Sequence, residues 1–345
     1  MTEQALPPLR ERIAAPAALP SLEHPDVAVW RAVGDDDLDL IAELEKVMAV
    51  VDHPDYSITR EEIADDLGMS FVDRARDSRL GLDADGRAVA WAAVLHPPGQ
   101  DTLVRSILQG GVHPELRRRG IGRTLVAWQR ARAEQQLGAS ELRLPGWIMA
   151  FSDDRAPGAG PLPESAGFTA ARYFAGLRRD LQQPVPDTRV GDGIRVEALT
   201  ATRFEQVRAA RNDAFRDHWG SQPSSEEQWR AFVARSALRA DLSVVAIDEA
   251  SDRVVGFVIA DVNEDDWPGQ GFSSAHIPLV GVVRGQRGRG IAKTLLAAHL
   301  AAARAERLEF ATLEVDSANP TGAFALYEQM GFRAASRETS YTIVA

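Results

Sequence analysis

The sequence contains no cysteine, which removes disulfides, thiolate nucleophiles and cysteine-ligated metals from consideration. It holds no run of about 18 apolar residues, so no membrane span is expected. The opening MTEQALPPLRERIAAPAALP lacks the basic-then-apolar order of a secretory signal, and the expected location is the cytoplasm. Positive charge is in deficit. With 39 Lys and Arg against 50 Asp and Glu the formal charge is -11, which opposes nucleic acid as a partner and favours neutral or cationic small substrates. The seven histidines, at 24, 53, 96, 113, 218, 276 and 299, form no HExxH and join no carboxylate cluster, so no metal site is expected.

What is present is a repeat. The stretch RRRGIGRTLVA begins at Arg117, and 170 residues later RGRGIAKTLLA begins at Arg287. A chain of 345 residues is long enough for two domains, and 45% hydrophobic with 26% charged residues suits globular folding. Around both turns the order of elements is the same: a short strand, helix, hairpin, strand, the turn, a long helix, and a further strand. The sequence therefore predicts an α/β protein of mixed α+β character with two similar domains, each a mixed central sheet with flanking helices. The expected boundaries are an N-terminal arm over 1–26, a first domain over 27–182, a Pro- and Gly-rich linker over 183–193, and a second domain over 194–345. The arm is expected to be poorly ordered or draped. ELRLPGW is expected to be the strand after the first long helix, and Ser224 or Ser225 to cap a helix.

The turn has a chemical use. A Val-bearing strand (Val112, Val282) is followed five residues on by an arginine (Arg117, Arg287), then by Gly120 or Gly290, then by a small residue, Gly122 or Ala292. Such a turn presents consecutive backbone N–H groups at a helix N-terminus, where donors and dipole together favour phosphate. The residues expected to hold a pyrophosphate are Arg117, Arg119, Gly120 and Gly122 in the first copy, and Arg287, Gly288, Arg289, Gly290, Ile291 and Ala292 in the second. The turn is neither a Walker sequence nor a dinucleotide fingerprint.

Strand, V…R-x-x-G-x-G/A turn, helix, strand and the block NPTGAFALYEQMGF resemble the GNAT acyltransferases, and two units in tandem resemble the mycothiol synthases and their actinobacterial relatives. The resemblance covers roughly residues 27–345 and is stronger in the second half. It implies acetyl-CoA or another acyl-CoA as co-substrate, lying between parted fourth and fifth strands, and direct acyl transfer to a small-molecule amine. It further implies that Tyr327 protonates the departing thiolate, that Asn319 positions the CoA arm, that a backbone N–H near Val282 stabilises the oxyanion, and that Val112 lies at the cofactor site of the first copy. His276, six residues before Val282, shares its face if no bulge intervenes, and is the expected base, with Glu314 the alternative. His218 and Trp219 are expected to line the amine site. Counting back from Gly167, the first half has Pro163 and Arg155 where the second has Tyr327 and Asn319, so the second domain is expected to be catalytic and the first not. The acceptor of a mycothiol synthase, and a non-catalytic acyl-CoA-binding regulator, are the other readings.

Overall fold

The structure, a computed structural model, describes residues 6–345 except 159 and 320. The first five residues of the arm lie outside the described residues. Two compact units divide the chain. Unit 1 takes the residues up to Arg172 together with Glu338–Ala345, and unit 2 takes Tyr173–Arg337.

Unit 1 contains, in chain order, α1 (Leu9–Arg12), β1 (Val29–Arg31), α2 (Leu38–Asp52), α3 (Arg60–Gly68), α4 (Arg74–Asp77), β2 (Ser78–Leu82), β3 (Ala88–Leu95), β4 (Val104–Val112), α5 (Ile121–Gly138), β5 (Gly146–Asp153), α6 (Pro161–Ser165) and the start of β6 (Thr169–Asp180). Unit 2 contains the rest of β6, then β7 (Ile194–Ala198), α7 (Phe204–Ala214), α8 (Glu226–Ala234), β8 (Val244–Asp248), β9 (Arg253–Asp261), α9 (Trp267–Gln270), β10 (Ser274–Val282), α10 (Ile291–Ala305), β11 (Phe310–Asp316), α11 (Ala323–Gln329) and the start of β12 (Arg333–Val344).

The strands of unit 1 run in the order β1-β2-β3-β4-β5-β12, and those of unit 2 in the order β6-β11-β10-β9-β8-β7. Within each unit the strand pairs are antiparallel except for one parallel pair, β4 with β5 and β10 with β11. The strand β3 reads AVAWAAVL and is buried at all eight positions, because helices cover both of its faces. One face of unit 1 packs Ile41, Leu44, Met48 and Ile63 of α2 and α3 on Leu80 and Trp91. The other packs Leu125, Trp128 and Leu137 of α5 on Val89, Val94 and Ile148. Unit 2 repeats this plan, with Val207, Ala210 and Trp229 on one face and Leu295, Leu296, Leu300 and Tyr327 on the other.

Two expectations are corrected and a third is narrowed to one of its alternatives. The boundaries differ from 27–182 and 194–345 because the closing strands change partners. Residues 338–344 pair with β5, from Glu338 opposite Asp153 to Val344 opposite Trp147, while residues 174–180 pair with β11. Alternation along a strand is blind to which neighbour it will meet. The arm, where described, is docked: Leu9 is fully buried, its N–H donates to Leu142 O at 3.0 Å, and Arg12 Nη1 donates to Ala345 O at 2.7 Å. That docking uses the backbone at 140–142, so the strand expected at ELRLPGW starts only at Gly146, after Pro145. Ser225 does cap α8, in a capping box with Gln228.

Candidate functional site

In both units the turn has one backbone form. Gly120 and Gly290 are the N-caps of α5 and α10 in the left-handed region, at φ 108° and 77°, and Arg118 and Gly288 two residues earlier are left-handed as well, at 63° and 79°. Neither N-cap glycine has a side chain to satisfy the first amides of its helix, which are thereby left as donors. A Cβ at Gly290 would lie 2.8 Å from the carbonyl oxygen of Arg189, so glycine is required there by contact as well as by φ. Ile291 and Ala292 open the helix in unit 2 as Ile121 and Gly122 do in unit 1.

Arg117 and Arg287 are engaged away from the expected phosphate. Arg117 Nε donates to Val112 O at 2.9 Å, and its Nη atoms reach both oxygens of Asp52 at 2.6 and 2.7 Å. Arg287 repeats this with Val282 O and Asp217, both at 3.4 Å, and adds Ala214 O at 2.8 Å. Each arginine ties the turn to the end of the unit's first long helix. Sequence reasoning missed these partners, although a signal was present: Asp52-His53 recurs as Asp217-His218. Arg119 and Arg289 carry the second cation of each turn, and Arg289 donates to Asp192 O and Gln286 Oε1.

The parallel strands part in both units. In unit 2 the pairing of β10 with β11 covers Ser274–Ile277 and Phe310–Leu313 and then stops, although the strands run on to Val282 and Asp316. Pro278, which has no N–H, stands at the parting. There β10 also shifts register against β9, between His276 and Leu279. In unit 1 the pairing of β4 with β5 stops at Ile107 and Met149, but β4 keeps an unbroken register with β3 from Ile107 to Val112.

The register shift separates His276 from Val282. Ala275, Ile277, Val280 and Val282 pack into the α10 core while Leu279 packs on the α7 side, so His276 and Val282 face opposite ways. His276 lies in the last paired stretch, opposite Thr312, with Nδ1 3.1 Å from Thr312 Oγ1. Burial pulls its pKa down to about 4.

Glu314 is exposed, one residue past the last paired position of β11, opposite Gly176. Asp316, two residues on, is opposite Phe174, whose ring is tilted against Trp219 with centroids 6.5 Å apart. His218 stacks at an angle on Phe215, 5.5 Å away. The structure thus brings Trp219 and Glu314 to one end of β11 and β6. Asn319 turns its Oδ1 inward, accepting from Thr321 N at 2.9 Å and Oγ1 at 2.7 Å.

Tyr327 on α11 is 7% exposed and meets Phe332 edge-on at 5.9 Å. Burial raises its pKa, so the phenol holds its proton throughout the neutral range. In unit 1 the matching helix α6 is one short turn, PLPES, and Leu162 lies 3.3 Å from where a Cβ on Gly122 would be. Arg155 bridges Asp153 and Asp55 across the end of β5, each at 2.7 Å. Unit 1 also buries Glu45 beneath α2, accepting from Trp91 Nε1, with its pKa pushed up to about 7 chiefly by burial. Among the described residues no group of acidic or histidine side chains could hold a metal, and no helix is long and apolar enough to cross a membrane.

The acetyltransferase (GNAT) family matches residues 39–153 and 204–332. The mycothiol acetyltransferase of Thermobispora bispora is 31% identical over 74% of this chain and 80% of its own length. That of Salinispora arenicola is 31% identical over 75% and 78%. A GCN5-related N-acetyltransferase from Sphaerobacter thermophilus superposes with a TM-score of 0.66 at 25% identity, covering 92% of this chain and 95% of the other. A tandem GNAT protein from the clavulanic acid biosynthesis pathway shares the fold, with a TM-score of 0.65 at 17% identity and coverage of 92% and 98%.

Proposed function

The chain belongs to the acetyltransferase (GNAT) family, and from that premise we propose that unit 2 transfers an acetyl group from acetyl-CoA directly to the amine of a small molecule, while unit 1 performs no transfer. The observation that carries this is the parting of β10 from β11 at Pro278, beside an uncapped helix start and a buried, protonated phenol in the same unit.

Each residue then has a task. The amides at the start of α10 take the donor's pyrophosphate. Backbone groups of β10 beyond Ile277, which have no ladder partner on β11, are free to pair with the amide-bearing arm and to donate to the thioester oxygen. The amine nitrogen attacks the carbonyl carbon, a C–N bond forms and the C–S bond breaks. Tyr327 gives its proton to the leaving thiolate, and a base takes the proton that the nitrogen sheds. For that base Glu314 is preferred over His276. Burial strips His276 of the basicity that recommended it, its Nδ1 is used on Thr312, and it lies behind the parting, whereas Glu314 is exposed and past it. Trp219 and Phe174, at the Glu314 end of β11, form the wall against which the acceptor rests. Asn319 holds the turn between β11 and α11 through Thr321, a positioning role.

The test is acetyl-CoA-dependent release of free thiol with a panel of small amines, including the unacetylated precursor of mycothiol suggested by the relatives' name. Release with at least one amine, lost in Tyr327→Phe, supports the reading. Tight acetyl-CoA binding without release from any amine would favour an acyl-CoA-binding regulator.

A further inference from the structure

One face of the unit 2 sheet is left open beside Glu314. Along β11 and β6 successive side chains point to opposite faces, so Leu313, Val315 and Leu177 join the core under α10 and α11 while Thr312, Glu314 and Arg178 face the other way. The cluster beneath α7 and α8 draws on β8, β9 and Leu279 of β10, and on no residue of β11 or β6. Glu314 and Arg178 are accordingly exposed.

The register sets the order of groups on this face. In an unbroken antiparallel ladder Glu314 is opposite Gly176 and Thr312 is opposite Arg178. Gly176 makes room beside Glu314: a Cβ there would collide with Ser336 Oγ of β12, so a hydroxyl stands over the glycine instead. The guanidinium of Arg178 lies over the rings of Phe272 and Phe310, 4.8 and 5.0 Å from their centroids, and the two rings are 4.6 Å apart. Phe310 is one same-face step beyond Thr312, so the guanidinium leans away from Glu314, to a separation on the order of 10 Å at about 3.4 Å per residue. Arg178 has no ion pair or hydrogen bond among the described residues. Asp180 on β6 and Glu309 just before β11 instead accept from the backbone N–H groups of Gln182 and Ser273, at 2.8 and 2.7 Å. Stacking on the rings fixes the plane of the guanidinium and leaves its edge of N–H donors available.

We propose that the acceptor of unit 2 is a zwitterion of short-peptide size, whose amine lies at Glu314 and whose carboxylate is taken by Arg178. This rests on the reading of unit 2 as the transferase and of Glu314 as its base. The charges along the face run from Glu314, with Asp316 one same-face step beyond it, to Arg178, and a molecule positive at one end and negative at the other matches that order. Such a molecule is neutral overall, which suits a chain of net charge -11. A guanidinium fork meets a carboxylate through two parallel hydrogen bonds, so the carboxylate is the anion that Arg178 fits best. Three extended peptide residues span about 10 Å, whereas the α-amine and carboxylate of a single amino acid are too close together to reach both groups.

The experiment is steady-state thiol release from acetyl-CoA by the full chain, with glycine peptides of one to four residues, each with a free and with an amidated C-terminus. In the native protein kcat/KM should be highest for the peptide of three residues, and its free acid should exceed its amide at least tenfold. Arg178→Gln should raise KM for the acid to that of the amide at unchanged kcat and leave the amide's kinetics alone, as expected of a group that binds far from the reacting atoms. Arg178→Lys should keep part of the preference. Equal kcat/KM for acid and amide in the native protein, an Arg178→Gln loss shared equally by the two, or turnover confined to amines that lack a carboxylate overturns the proposal while leaving the transferase reading standing. Absence of thiol release with every amine, peptide or not, overturns both.

Discussion

The two turns share their backbone and differ in their company. Left-handed residues recur at 118 and 288 and at 120 and 290, and the arginines at 117 and 287 tie each turn to a carboxylate at or just past the end of the first long helix. Around that common frame, unit 1 pairs these groups internally: Arg119 with Asp26, Thr124 with Gly120 O, Arg155 with Asp153 and Asp55. Unit 2 leaves Thr294 unanswered and offers a phenol where unit 1 has Pro163. A duplicated turn can thus keep its backbone form while its side-chain surroundings change, and backbone form alone does not assign a role to either copy.

The largest effect expected of any single change separates the units by their fourth helices. Tyr327→Phe should lower kcat by about 10² to 10⁴, the usual span for a general acid, with little change in acetyl-CoA affinity. Pro163→Ala, at the matching place in unit 1, should leave kcat as it is. Steady-state thiol release measures both, and a large fall in the Pro163 variant would break the division of labour.

Next come the two candidate bases. Glu314→Gln should lower kcat/KM by about 10² or more, while His276→Ala should cost less than about tenfold. The pH profile adds a sign. A group with its pKa near 4 is already neutral at pH 6, so His276 gives no acidic limb between pH 6 and 8. A limb in that range that vanishes in His276→Ala would restore the histidine as base.

Much of this was legible in the sequence. The repeat, the mixed α/β plan, the turn, and Tyr327 opposite Pro163 all follow from spacing, because they are local. What was not legible depends on partners far along the chain. Alternation along β12 does not reveal that Glu338–Val344 will pair with β5, nor that residues 174–180 will pair with β11. His276 was put on the face of Val282 by counting in twos, and one register shift at Pro278 reversed the result. Asp52 and Asp217 read as ordinary helix-end acids until the arginines 65 and 70 residues away close on them.

The cores offer a third contrast. Glu45 and Trp91 in unit 1 occupy the places of Ala210 and Phe257 in unit 2, so one unit buries a carboxyl group hydrogen-bonded to an indole where the other is apolar. The folded-state pKa of Glu45, about 7, lies above the ordinary 4.5, chiefly through burial. Its contribution to stability is therefore fully present below about pH 4.5 and is lost as the pH rises through 7. At about 1.4 kcal/mol per pH unit the loss is on the order of 3 kcal/mol by pH 8. Glu45→Gln should remove most of that pH dependence, and denaturant melts from pH 5 to 8 that keep their slope with pH in the variant would place the titrating group elsewhere.

The smallest effect tests whether the turns themselves differ in use. Gly290→Ala puts a Cβ on a left-handed residue and against Arg189 O, so the turn must shift by a few tenths of an ångström. A backbone site held to phosphate distances feels such a shift, and CoA affinity should fall about tenfold, or 1.4 kcal/mol. Gly120→Ala strains the turn of unit 1 through φ as well, with His24 Nε2 at 3.8 Å as the nearest contact. If unit 2 alone carries the donor, the unit 1 variant should keep native CoA affinity and thiol release even if its melting temperature drops. Calorimetry on the pair decides: equal losses of CoA affinity would mean that both turns carry nucleotide, and the asymmetry would then lie only in the acid that unit 1 lacks.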